Sequence, residues 1–206
     1  MSVILAYFSY ARRMLFYVKR IRMKITINDS DLEEILFEKD FHAAYDGLTD
    51  IVEQETLLFD NRIGYTDISE IWFDGVHTLR RRTQLNQEVC LNAKSESSVF
   101  EMHFSLAGNA EVESLNSKVN YSFGPQQHNF YYSSNFEGKF RGGKQDVPND
   151  VFEIHFTENY FGRFVDSESK TIDKFIQSID KQEFNNYLSP HNMPITAQMN
   201  LILSEI

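Results

Sequence analysis

One cysteine, one tryptophan and four prolines are all that 206 residues contain of these types. A lone Cys90 leaves no partner for an intrachain disulfide and rules out a cysteine-based zinc site. It fits a reducing compartment, so the cytoplasm is the expected location. Recognisable catalytic signatures are missing as well: there is no G-x-S-x-G, no His-Glu-x-x-His, no phosphate-binding loop and no dinucleotide fingerprint. No enzyme activity, catalytic residue or cofactor is expected on that ground.

Acidic residues are absent from the first 22 positions, "MSVILAYFSYARRMLFYVKRIR", which hold Arg12, Arg13, Lys19, Arg20 and Arg22. This leader takes five of the 20 basic residues and none of the 30 acidic ones, so the formal net charge of -10 becomes -15 for residues 23–206. So acidic a body repels a phosphate backbone, and DNA is not an expected partner of it. The leader lacks a signal peptide's order, because its first apolar stretch precedes the arginines and no small-residue cleavage site follows. It is too interrupted by charge to span a bilayer, although mixed aromatic and basic residues would suit an interfacial anchor. The favoured reading is that translation begins at Met23, where "MKITI" reads as a start, with residues 1–22 disordered or not native and no membrane role.

What the chain does have is aromatic bulk, 18 Phe and 10 Tyr, enough for the core of one domain. "DSDLEEILFEKDF" at 29–41 has Asp and Ser caps ahead of Leu32, Ile35 and Leu36 and predicts a short helix within a lead-in over 23–53. From 54 to 157 short segments rich in β-branched and aromatic residues alternate with turn formers such as "DNRIG", "FDG", "AGN" and "FGPQ". That texture predicts an antiparallel sandwich or barrel. Residues 158–206 read as helical: "ENYFGRFVD", "SKTIDKFIQSID", "KQEFNNYL", and a final helix starting after Pro194. Ile195, Met199, Ile202 and Ile206 form one stripe on it, and the helix stops without a C-cap signal, as a fragment of a longer chain would. The expected fold class is mainly β with C-terminal helices.

"VFEMHFSL" at 99–106 and "VFEIHFTE" at 151–158 repeat a Phe-Glu-x-His-Phe pattern. In a strand, Phe100, Met102 and Phe104 share one face and Glu101 and His103 the other, and Phe152, Ile154 and Phe156 stand likewise against Glu153 and His155. Neighbouring strands in register would bring two carboxylates and two imidazoles together, a ligand set for a divalent metal. The Phe faces are apolar enough to be core, however, which predicts that the Glu and His side chains lie outside and form no metal site. In "TLRRRTQ" at 78–84, Arg80 and Arg82 share a side and Arg81 takes the other; a solvated face or salt bridges are expected. Trp72 is either simple core or part of a ligand cavity.

"YSFGPQQHNFYYS" at 121–133 has a Gly124-Pro125 turn before His128 and Asn129 and resembles a degenerate second cupin motif. The first motif would have His-x-His followed by Glu, whereas "EMHFSLAG" has one His with the Glu before it. "FEMHFSLAGN", "YSFGPQQHNFYY", "VFEIHFTENYFGRF" and "LSPHNMPITAQMNLILSEI" together resemble, over about 65–206, the N-terminal regulatory domain of AraC-type transcription regulators. The resemblance implies a cupin-like barrel over 54–157 that binds a small-molecule effector. It implies a following helical segment that forms a homodimer, with DNA bound only through a separate C-terminal domain absent from this sequence. Candidate effector contacts are Trp72, Glu101, His103, His128, Glu153 and His155; candidate dimerisation residues are Ile195, Met199, Ile202 and Ile206. The alternative is a metal-dependent cupin-type enzyme using Glu101, His103, His128, Glu153 and His155.

Overall fold

The computed structural model describes residues 22–29, 35–42, 53–61, 63–73, 75–95, 98–115, 120–144, 146–161, 163, 173–175, 177, 179, 186–188 and 191–206. The leader over 1–21 and the first part of the predicted 29–41 helix lie outside them.

The described strands form two antiparallel sheets. The larger contains β3 (Glu53–Asn61), β4 (Gly64–Phe73), β5 (Val76–Leu85), β7 (Val99–Ala107), β10 (Gln127–Ser133), β12 (Asn149–Phe156), β13 (Asn186–Leu188) and β14 (Met193–Pro194). Its order is β13-β10-β7-β12-β5-β4-β3, with β14 also paired to β10. The smaller contains β1 (Arg22–Asp29), β2 (Ile35–His42), β6 (Val89–Ser95), β8 (Ala110–Ser114), β9 (Asn120–Phe123) and β11 (Glu137–Gly142), in the order β2-β1-β6-β11-β8-β9. Among the described residues short helices follow, α1 (Glu158–Phe161) and α2 (Ala197–Glu205), and residues 173–175, 177 and 179 between them are also helical. This is the mainly β, antiparallel architecture with a C-terminal helix that the strand texture predicts.

Three local expectations fail. Residues 35–42 are strand β2, not helix, because β1 offers an antiparallel partner from Arg22↔His42 to Asn28↔Ile35. A helix of two turns is marginal without packing, so the ladder prevails over the capping signal. The lead-in thus supplies strands, and β1 pairs with β6 from Met23 to Asp29 and extends the smaller sheet. Residues 186–188 of the predicted helix "KQEFNNYL" are strand β13, drawn onto the open edge of β10. The last helix begins later than Ile195. Pro194 is bridged to Gln127, the Ile195 N–H donates to the Gln126 carbonyl at 2.9 Å, and Thr196 is the cap, its hydroxyl accepting from the Met199 N–H at 3.2 Å.

The larger sheet is covered on both faces. On its outer face Phe104 and Phe152 pack with Ile195 and Leu203, and Met102, Ile154, Leu106 and Met199 close around them. Further along, Phe100 stacks on Phe161 with ring centroids 4.5 Å apart, and Phe130 approaches the same ring at 5.7 Å. The segments after 157 therefore roof the Phe face. The predicted stripe is half right: Ile195 is buried and Met199 packs beside it, but Ile202 and Ile206 are 53% and 55% exposed, and Leu203 takes the inward position.

Candidate functional site

Because the Phe face is roofed by the C-terminal segments, the Glu and His face is turned inward, toward the smaller sheet. The expectation that Glu101, His103, Glu153 and His155 lie outside is overturned. Glu101 is 3% exposed, His103 4% and His155 2%. The premise was a one-sided sheet, and helices after 157 supply the second cover that the premise lacked.

Register decides which groups meet. The pairing of β12 with β7 sets Glu153 opposite His103 and His155 opposite Glu101, while Phe152 faces Phe104 and Phe156 faces Phe100. Extended sideways, one row of the sheet reads Trp72, His77, His155, Glu101, Tyr131 across β4, β5, β12, β7 and β10. The next row reads Glu70, Leu79, Glu153, His103, Asn129, and the one after it includes Ile68, Arg81 and Val151. Antiparallel neighbours at these positions are within direct reach of each other.

Glu101 is the hub. Its Oε1 lies 3.2 Å from Nδ1 of His103 and its Oε2 lies 3.0 Å from Nε2 of His155, while the Tyr131 hydroxyl donates to Oε2. Nδ1 of His103 is also 3.4 Å from Oε1 of Glu153. Nδ1 of His155 lies 3.1 Å from Nδ1 of His77, whose ring stacks in turn on Trp72 at 5.3 Å. Burial opposes charge on all these groups, yet the ion pairs prevail. Desolvation would raise the Glu101 carboxyl, but His155 and His103 hold it well below the usual carboxylate range. Desolvation would lower the His103 imidazole, but hydrogen bonds to Glu101 and Glu153 raise it to about 9. His155 is raised in the same way, chiefly by the charge of Glu101, and Tyr131 is pushed well up by burial and the carboxylates.

These groups form the polar floor of a cavity of about 150 Å³ between the sheets. Its opposite wall is apolar, built from Leu91, Ala93, Val112, Phe123, Phe136 and Phe140. Tyr131 and Arg81 belong to the floor and were missed in the sequence; for Arg81 the signal was present, since alternation already set it apart from Arg80 and Arg82. Those two turn outward onto Asp150, at 3.1 and 3.1 Å, as expected of them. Trp72 and His128 do not line the cavity. Trp72 ends the first row, capping His77, and His128 is on the Phe face, stacked on Phe104 at 5.4 Å, where burial lowers its pKa.

One ligand atom each of Glu101, His103 and Glu153 lies within 4.8 Å of the others, which could hold a metal ion. Both Glu101 oxygens and Nδ1 of His103 are engaged within the cluster, so a metal there would take the place of those contacts.

No family profile matches the chain, and no curated protein matches it closely. Among solved structures it is similar to the AraC-like transcriptional activator CuxR, at 9% identity and a TM-score of 0.35, over 58% of this chain and 46% of that one. It is similar to oxalate decarboxylase from Bacillus subtilis at 10% identity and a TM-score of 0.33, over 74% and 44%. The 11S allergen from Cocos nucifera matches at 14% identity and a TM-score of 0.36, over 54% and 36%. The chain thus spans less than half the length of each, and likenesses this distant carry no argument about activity.

Proposed function

We propose that this chain is the effector-sensing and dimerisation part of an AraC-type transcription regulator, a cytoplasmic binding module whose input is a small molecule. The sequence resemblance over about 65–206 supports it, and the observation that carries it is the cavity itself. A polar floor of Tyr131, Glu101, His103, Glu153 and His155 faces an apolar wall, the arrangement of a pocket that orients a largely apolar molecule by a few polar contacts. Effector contacts that differ between two arrangements of the sheet and the segments after 157 would set how far the equilibrium moves. The test is a thermal-shift screen of small metabolites followed by calorimetry. Saturable binding that weakens when Tyr131→Phe or Leu91→Arg alters the cavity is expected, and binding unaffected by both would sink the reading.

A metal-dependent cupin-type enzyme is the second reading, favoured by the convergence of Glu101, His103 and Glu153. A metal there would supply Lewis-acid polarisation of a bound oxygen. Elemental analysis of the purified protein separates the two: a stoichiometric transition metal that is lost in His103→Gln would replace the first reading with the second.

A further inference from the structure

Arg81 is a charge inside the cavity that none of the described residues answers. It is half-buried on the inner face of β5, and its guanidinium makes no hydrogen bond or ion pair among the described residues. Its sequence neighbours show the contrast, since Arg80 and Arg82 both engage Asp150. Two floor carboxylates are already committed, Glu101 to His103 and His155 and Glu153 to His103, and a third, Glu70, is buried one row away from Arg81 on β4. The other charged groups that line the cavity, Glu111 and Arg141, are exposed side chains on the smaller sheet.

We propose that the molecule taken by this cavity is a small organic carboxylate, whose anionic group is held by Arg81 and whose apolar body lies on the Leu91, Val112 and Phe140 wall. This rests on reading the cavity as a small-molecule site. The planar guanidinium matches a carboxylate bidentately, and the low local dielectric strengthens that pair. A neutral molecule of the same shape leaves Arg81 half-buried and unpaired, which builds selection for the anion into the site.

The experiment titrates the whole chain by calorimetry near neutral pH with butanoate, octanoate, benzoate and salicylate, each beside its neutral primary amide. Arg81→Gln and Arg82→Gln are titrated in parallel. At least one acid should bind about tenfold or more tighter than its amide; Arg81→Gln should abolish the preference, and Arg82→Gln should keep it. Acids and amides that bind alike would overturn the anion assignment while leaving the cavity a ligand site. Failure of all eight compounds to bind would overturn both. Should Arg81→Gln not fold, the comparison of acid with amide on the parent still decides the question.

Discussion

Nε2 of His155 lies 3.0 Å from Oε2 of Glu101, directly across from it on the neighbouring strand, and both side chains are buried. The pair holds opposite charges in a place that disfavours either alone. Replacing Glu101 by Gln leaves His103 and His155 without their main counter-charge, and breaking a buried pair from one side costs about 3 to 5 kcal/mol. Urea unfolding of Glu101→Gln should show a loss of that order. A midpoint equal to the parent's would mean that the imidazoles are not ionised in the folded chain.

Stability should depend on pH with a definite sign. His103 is raised from 6.5 to about 9, so its contribution is full below 6.5 and lost as pH rises through 9. His155 is shifted in the same direction. Glu101 is depressed, so its contribution is present above the ordinary carboxylate range and lost only in strong acid. Melting temperatures measured from about pH 6 to about pH 9.5 should fall across that window, and His103→Gln should flatten the fall. A rise in stability over the same window would contradict the assigned protonation.

The two phenylalanine positions should separate. Phe104 is 4% exposed and packed with Phe152, Ile195 and Leu203, so Phe104→Ala should cost about 3 to 5 kcal/mol. Phe156 is only partly buried, and its truncation should cost distinctly less. Equal losses would show that the outer face of the sheet is covered differently. The sequence alone suggests that histidine changes here are mild; burial of His103 and His155 in the Glu101 network reverses that expectation.

Helix α2 gives a paired comparison. Leu203 is 6% exposed and Ile202 is 53% exposed. Leu203→Asp should lower the melting temperature strongly, while Ile202→Asp should leave it near the parent's. Light scattering on Ile202→Asp then tests the proposed dimer contact: a loss of mass without a loss of stability supports it, and an unchanged dimer assigns the contact elsewhere.

Gly64 closes the β3-β4 turn with φ at +141°, and a Cβ there would collide with the Gln84 carbonyl oxygen. Gly64→Ala therefore combines backbone strain of about 1 to 3 kcal/mol with a displaced strand edge beside the cavity. A melting temperature unchanged by this substitution would show that the turn relaxes freely.

Much of the site was legible in part. The Phe-Glu-x-His-Phe repeat identifies two strands and their two faces, and alternation alone separates Arg81 from Arg80 and Arg82. What alternation leaves open is which face is solvent, because a second cover depends on contacts far along the chain, here Ile195 and Leu203 on Phe104 and Phe152. Register is equally non-local: His155 meets Glu101 only because β12 and β7 are antiparallel neighbours at that offset. The helix predicted over 29–41 failed for the same reason, since local caps say nothing about a waiting partner strand.

Strand β10 connects features that are otherwise separate. Through Tyr131 it reaches the hub of the floor, and at its start Gln126 accepts the Ile195 N–H at 2.9 Å and the Asn200 side-chain amide at 2.8 Å. In mechanical terms β10 is a beam that carries a cavity residue at mid-span and is fastened to the base of α2 at one end, so a tilt of the strand at Tyr131 would also move that base.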